Sequence, residues 1–136
     1  MQIEEHVLSR SQHQFERWGS VLKKYGRPYV PVPRFVLDNI GRLGLTPQQA
    51  LLLILLMDYK YSPEREVFPL QKTLANKLGL STRQVRTHLK KLEQNGFIEI
   101  VTHTQKSRRN TYKLDGYLEK LERVVLEAQL REKQYR

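Results

Sequence analysis

Val7, Phe15, Trp18, Leu22 and Tyr25 recur at spacings of roughly three to four residues, the period of one apolar helix face. They predict an amphipathic helix over 1–27, weakened at Gly19 and ended at Gly26. Pro28, Pro31 and Pro33 come next. Each ring removes an N–H and restricts the residue before it, so this stretch reads as an extended connector. Phe35, Val36 and Ile40 predict a short helix over 34–41, stopped by Gly41 and Gly44. Thr46-Pro47-Gln48-Gln49 predicts a helix start: Thr46 caps, Pro47 suits the first turn, and Gln49 completes a capping box. The helix runs to about Tyr59 and is apolar all round over Ala50–Met57. A helix without a polar face is buried on more than one side, against its own domain or a partner.

The polar loop Tyr61-Ser62-Pro63-Glu64 separates this helix from the next elements. Val67 and Phe68 predict a short strand over Glu66–Pro69. Leu70, Leu74 and Leu78 predict a helix over Leu70–Leu78 with those leucines inward. Gly79-Leu80-Ser81 is a turn, and Ser81 caps a second helix that runs to about Gln94, ended by Asn95-Gly96. Two β-runs, Phe97–Thr104 and Asn110–Leu114, flank the polar Gln105-Lys106-Ser107-Arg108-Arg109 and predict a hairpin. Ile98, Ile100, Tyr112 and Leu114 form its inward face at period two. A charged helix over 115–135 closes the chain.

Composition narrows the function. The chain has 136 residues, is 39% hydrophobic and contains no cysteine. A disulfide framework, a Cys-based zinc site and a thiol nucleophile are therefore excluded. The start MQIEEHVLSR is polar and acidic, unlike a secretory leader. The longest apolar run, Ala50–Met57, is far short of the ~20 residues that span a membrane. A cytoplasmic protein without a membrane partner is expected. Its net charge of +10 favours a polyanionic partner. That charge is concentrated. Residues Pro69 to Lys113 hold 10 basic and 2 acidic residues, while Leu114 to Arg136 hold 5 of each.

The basic stretch contains the two helices joined by Gly79-Leu80-Ser81. Ala75 lets the helix backbones approach, Gly79 can adopt the left-handed ending, and Val85 begins a buried stripe with Leu89 and Leu92. An ordinary helical hairpin shares this spacing; the outer surface discriminates. With Val85, Leu89 and Leu92 inward, the opposite face shows Arg83, Thr87 and Lys90, flanked by Arg86 and Lys91, and its only acid is Glu93 at the far end. Long cations suit phosphates and guanine edges, and a short hydroxyl suits close groove contacts. A merely solvated face would alternate acids with bases. His88, between the two faces, is expected to be partly buried and bonded to backbone. Lys106, Arg108 and Arg109 at the hairpin tip, with Lys113 on the return strand, suit phosphate or a narrow minor groove.

The segment Pro33–Leu114 resembles the winged helix-turn-helix domains of phage- and plasmid-type replication initiation proteins, including the N-terminal domain of DnaD-like primosome proteins. The likeness lies in Pro33–Leu37, Leu45-Thr46-Pro47, the leucine-rich Leu51–Leu56 and Phe68-Pro69. It continues through Leu74-Ala75, Gly79-Leu80-Ser81, Val85, Leu89, Leu92 and Gly96-Phe97-Ile98, and ends at Asn110-x-Tyr112-x-Leu114. It implies a mainly α fold with a small β-hairpin. Residues 1–32 and 115–136 become helical extensions of a winged helix-turn-helix domain over 33–114. It also implies sequence-specific binding of double-stranded DNA in replication initiation, with other replication proteins as partners. Transcriptional regulators use nearly the same core, so that output stays open. The expected DNA contacts are Ser81, Thr82, Arg83, Arg86, Thr87, Lys90 and Lys91 on the recognition helix, and Lys106, Arg108, Arg109 and Lys113 on the wing.

Catalysis on nucleic acid finds little support. Asp occurs only at 38, 58 and 115, the four histidines form no His-x-His pair, and no Gly-rich phosphate loop is present. No metal or cofactor is expected. A winged helix used only for protein contacts would interrupt its basic face with acids or apolar residues. A homodimer is expected, because Leu114, Leu118, Leu121, Val125 and Ala128 step as a heptad seam. The same residues could instead dock the last helix on its own domain.

Overall fold

A computed structural model describes residues 16–24, 29–60, 62–103 and 109–134. The chain divides into two units, Met1–Pro31 and Val32–Arg136. In the first, helix α1 spans Val21–Lys24. Most of the helix expected over 1–27 lies outside the described residues. Within them a turn at 17–20 interrupts it, with Gly19 in the left-handed region (φ +65).

In the second unit, α2 spans Arg34–Asp38, α3 Pro47–Asp58, α4 Gln71–Leu78 and α5 Thr82–Gln94. Strands β1 (Glu99–Val101) and β2 (Thr111–Lys113) follow, and α6 spans Asp115–Gln134. Helix α2 is shorter than the expected 34–41, because Asn39 leaves helical geometry and its amide Nδ2 donates to the Phe35 carbonyl at 2.7 Å. Helix α3 starts on the capping box that its sequence encodes. Thr46 Oγ1 accepts from the Gln49 N–H at 3.2 Å, and Gln49 Oε1 accepts from the Thr46 N–H at 3.0 Å. Leu52, Leu53 and Leu56 are fully buried, Ile54, Leu55 and Met57 half-buried, and Leu51 exposed. Burial on more than one side therefore holds, except along the line of Leu51.

Helices α4 and α5 pack on each other and on α3. Leu74 and Ala75 are buried, whereas Leu70, expected inward, is exposed at the N-cap of α4. The N-cap residue has extended rather than helical backbone, which takes its side chain off the inward face. The strand expected over Glu66–Pro69 shrinks to one bridge, Val67 to Tyr112. Pro69 has no N–H to continue a ladder. The hairpin itself is antiparallel, with Glu99 opposite Lys113, Ile100 opposite Tyr112 and Val101 opposite Thr111. Ile98, Tyr112 and Leu114 are buried and Ile100 is half-buried, so the inward face is as expected.

The last helix departs from the expected seam. Its inward residues are Tyr117, Leu121 and Val124, while Leu118 is exposed and Val125 and Ala128 are half-buried. Leu114 and Leu121 belong to the domain's own core, so the proposed seam is not a free face. The phase is set at the start of the helix. The Tyr117 N–H donates to the Phe97 carbonyl at 2.8 Å, and a Cβ on Gly116 would fall onto the Gly96 carbonyl oxygen. The first turn of α6 is thus pressed onto the α5–β1 turn, which points Tyr117 inward. Its ring lies 6.4 Å from that of Phe97 in a tilted arrangement.

Two measurements test this packing. Gly116→Ala forces backbone apart and should cost about 1–3 kcal/mol, read as a lower urea midpoint; an unchanged midpoint would mean that α6 does not sit this close. The second concerns pH. Burial pushes the Tyr112 hydroxyl above its ordinary 10.0, partly offset by a hydrogen bond with Gln71, and burial likewise raises Tyr117. Above about pH 10 the unfolded chain then holds fewer phenolic protons than the folded one, so stability falls as pH rises. Tyr112→Phe/Tyr117→Phe should flatten that decline. Parallel wild-type and variant curves from urea unfolding above about pH 9.5 would contradict the burial of these hydroxyls.

Candidate nucleic-acid interface

The site is built on the α4–turn–α5 unit. Gly79 adopts φ +68, ψ 30, and its N–H returns to the Ala75 carbonyl, ending α4 in the left-handed conformation. The chain then reaches Ser81, whose Oγ accepts from the Gln84 N–H at 3.1 Å while Gln84 Oε1 accepts from the Ser81 N–H at 2.9 Å. This second capping box was legible as Ser81-x-x-Gln84, the same spelling as Thr46-x-x-Gln49. It starts α5 sharply, and Val85, Leu89 and Leu92, all at 0% exposure, fix its rotation.

That rotation leaves Ser81, Arg83, Arg86, Thr87, Lys90 and Lys91 exposed and Thr82 half-buried. On the hairpin, Arg109 and Lys113 are exposed. Lys106 and Arg108 lie outside the described residues. Two side chains are partly committed within the domain. Thr87 Oγ1 donates to the Arg83 carbonyl at 3.0 Å, which leaves its oxygen free to accept. Arg86 Nε donates to Gln71 Oε1 at 3.4 Å. Arg86 thus reaches toward the first residue of α4.

The expectation for His88 needs correction. It is half-buried, but its Nδ1 is buried without a hydrogen-bond partner. The ring is placed by its position beside the buried stripe of α5 rather than by a bond to backbone at Nδ1.

The two acids in the basic stretch have roles that their sequence positions do not mark. Glu93 Oε2 accepts from the Ile100 N–H at 2.8 Å, and Glu99 stands opposite Lys113 in the hairpin. Both acids therefore have partners at the hairpin, Glu93 from the last turn of α5 and Glu99 from β1 itself. No sequence pattern marks Glu93 or Gln71, because their partners come from different elements. Among the described residues, no helix is long and apolar enough to cross a membrane.

Residues 43–98 match the family model of a helix-turn-helix domain. No curated protein matches the sequence. Among solved structures, the N-terminal domain of the DnaD protein from Geobacillus kaustophilus HTA426 is similar, with 21% identity and a TM-score of 0.60. The alignment covers 78% of this chain and 87% of that one. A mutant of MepR from S. aureus aligns with 96% of this chain and 80% of its own, at 15% identity and a TM-score of 0.49. The YusO protein from Bacillus subtilis aligns with 96% and 82%, at 17% identity and a TM-score of 0.48. The helix pair α4–α5, the hairpin behind it, the family match and the likeness to DnaD together make this a helix-turn-helix carried on a winged-helix fold, the fold of the DnaD N-terminal domain.

Proposed function

We propose that the chain binds double-stranded DNA in a sequence-specific way, with α5 in the major groove and the hairpin on the adjacent backbone or minor groove. The observation that carries this reading is the exposed face of α5. Four cations and a hydroxyl point outward from one helix, and its single acid is engaged elsewhere. Arg83 and Thr87, one turn apart near the start of α5, are assigned to base edges. Ser81, Thr82, Arg86, Lys90, Lys91, Lys106, Arg108, Arg109 and Lys113 are assigned to phosphates or groove walls. Residues 33–114 are taken as the binding unit. No chemistry on the DNA is included in the reading.

The biological setting we propose is initiation of replication of a plasmid, phage or chromosome. Its support is the fold shared with the DnaD N-terminal domain. A homodimer belongs to the same reading, with the exposed Leu126 and Leu130 of α6 as its apolar contact in place of the seam expected from sequence. Mapping bound sites across a genome tests the setting: clusters at an origin support it, and sites confined to promoters reassign the chain to transcriptional control.

Two binding measurements test the interface. If helix and wing together neutralise roughly 6–8 phosphates, log affinity for random duplex should fall with log salt at a slope of about −5 to −7. A slope shallower than about −2 would mean that the basic stretch does not face DNA. Arg83→Ala should cost about 1–3 kcal/mol on the specific site and little on random duplex. Equal losses on both would make Arg83 a phosphate clamp and shift the rotation of α5.

A further inference from the structure

Among the described residues of the hairpin, Tyr112 and Ile100 have backbone donors that the β1–β2 ladder does not satisfy. The Tyr112 N–H donates to the Val67 carbonyl at 2.8 Å, away from β1. Opposed residues in an antiparallel pair either exchange both hydrogen bonds or neither. Ile100, opposite Tyr112, must then point its N–H away from β2, onto the outer edge of β1. An unpaired strand edge is normally left to water or covered by another element. Here the carboxylate of Glu93 takes the Ile100 N–H at 2.8 Å, reaching back from the last turn of the preceding helix. One side chain stands where a further strand would lie.

We infer that Glu93 is a positioning residue for DNA binding: it ties the wing to the C-terminal end of the recognition helix, so that the two basic surfaces meet DNA as one unit. The inference rests on the DNA-binding reading above. The opposite edge of the hairpin is tied in the same sense. Val67 holds the Tyr112 backbone there through its carbonyl. The hairpin is therefore held along both edges, by Val67 beside β2 and by Glu93 beside β1, and Glu93 is the tie that comes from the recognition helix. A carboxylate accepting from a backbone N–H forms a charge-assisted bond, roughly twice as strong as a neutral one. This accounts for an acid on a helix whose other four charged residues, Arg83, Arg86, Lys90 and Lys91, are cations.

Charge and position make opposite predictions. A negative group close to phosphates lowers affinity by repulsion alone. If that were all Glu93 did, Glu93→Ala and Glu93→Gln would both bind duplex more tightly than wild type. If Glu93 holds the wing, the glutamine variant keeps an acceptor without the charge and should bind at least as tightly as wild type. The alanine variant should bind about fivefold more weakly, with a salt slope shallower by about 2, as wing phosphate contacts are lost.

The tie itself can be read without DNA, from hydrogen exchange at the Ile100 amide in the full chain. Glu93→Ala should exchange about tenfold faster there than wild type, and Glu93→Gln should stay protected. Thermal unfolding of each variant separates this local opening from global destabilisation. Equal exchange in wild type and Glu93→Ala, or tighter duplex binding by both variants, overturns the inference while wild-type DNA binding stands. Failure of the wild-type chain to bind any duplex overturns the DNA-binding reading instead, and the exchange measurement still decides whether Glu93 ties the wing.

Discussion

The arrangement of this domain depends on the seating of α5. Val85, Leu89 and Leu92 are fully enclosed, as are Leu52, Leu53 and Leu56 of α3 and Leu74 of α4. Exposing even one such leucine forfeits about 1.5–3 kcal/mol. A rotation of α5 by one residue would expose several at once. Its rotation is therefore held by the core, and the outward display of Arg83, Thr87 and Lys90 is a by-product of apolar packing. The two capping boxes serve the same end by fixing where α3 and α5 begin.

The hairpin takes its place from the other side of the same helix. The chain leaves α5 through Asn95-Gly96, and the Phe97 N–H returns to the Leu92 carbonyl at 2.9 Å. Phe97 then meets two side chains of α6. Tyr117 packs near one part of its ring, and the ammonium of Lys120 lies over it at 5.1 Å. Gly116 permits this approach, since any side chain there would collide with the backbone of the α5–β1 turn. The first turns of α6 thus act as a brace for the wing as well as an extension of the domain.

Electrostatics follow from this scaffold. The stretch from Pro69 to Lys113 is strongly basic, yet charge density alone would not make a binding face. What organises it is the placement of its two acids at the hairpin, where Glu93 serves a backbone donor and Glu99 stands across from Lys113. The middle of α5 is left with cations and Thr87. Arg86 additionally reaches Gln71 of α4 at 3.4 Å.

Much of this was written in local sequence. Thr46-x-x-Gln49, Gly79, Ser81 and Asn95-Gly96 specify helix boundaries through caps and left-handed turns, which involve residues only a few positions apart. The stripe Val85-Leu89-Leu92 determined the orientation of α5 because its period has one solution against a core. What tertiary structure alone decided involves partners distant in the chain or backbone contacts without a side-chain signature. Tyr117 rather than Leu118 turns inward because Gly116 meets the Gly96 carbonyl, and heptad spacing carries no information about that collision. Leu70 faces out because it became a cap, and the third strand shrank to one bridge where Pro69 follows Val67 so closely. Glu93 read as an incidental acid at the end of a basic helix. Only the register of the hairpin, which leaves the Ile100 N–H without a strand partner, shows what its carboxylate is for.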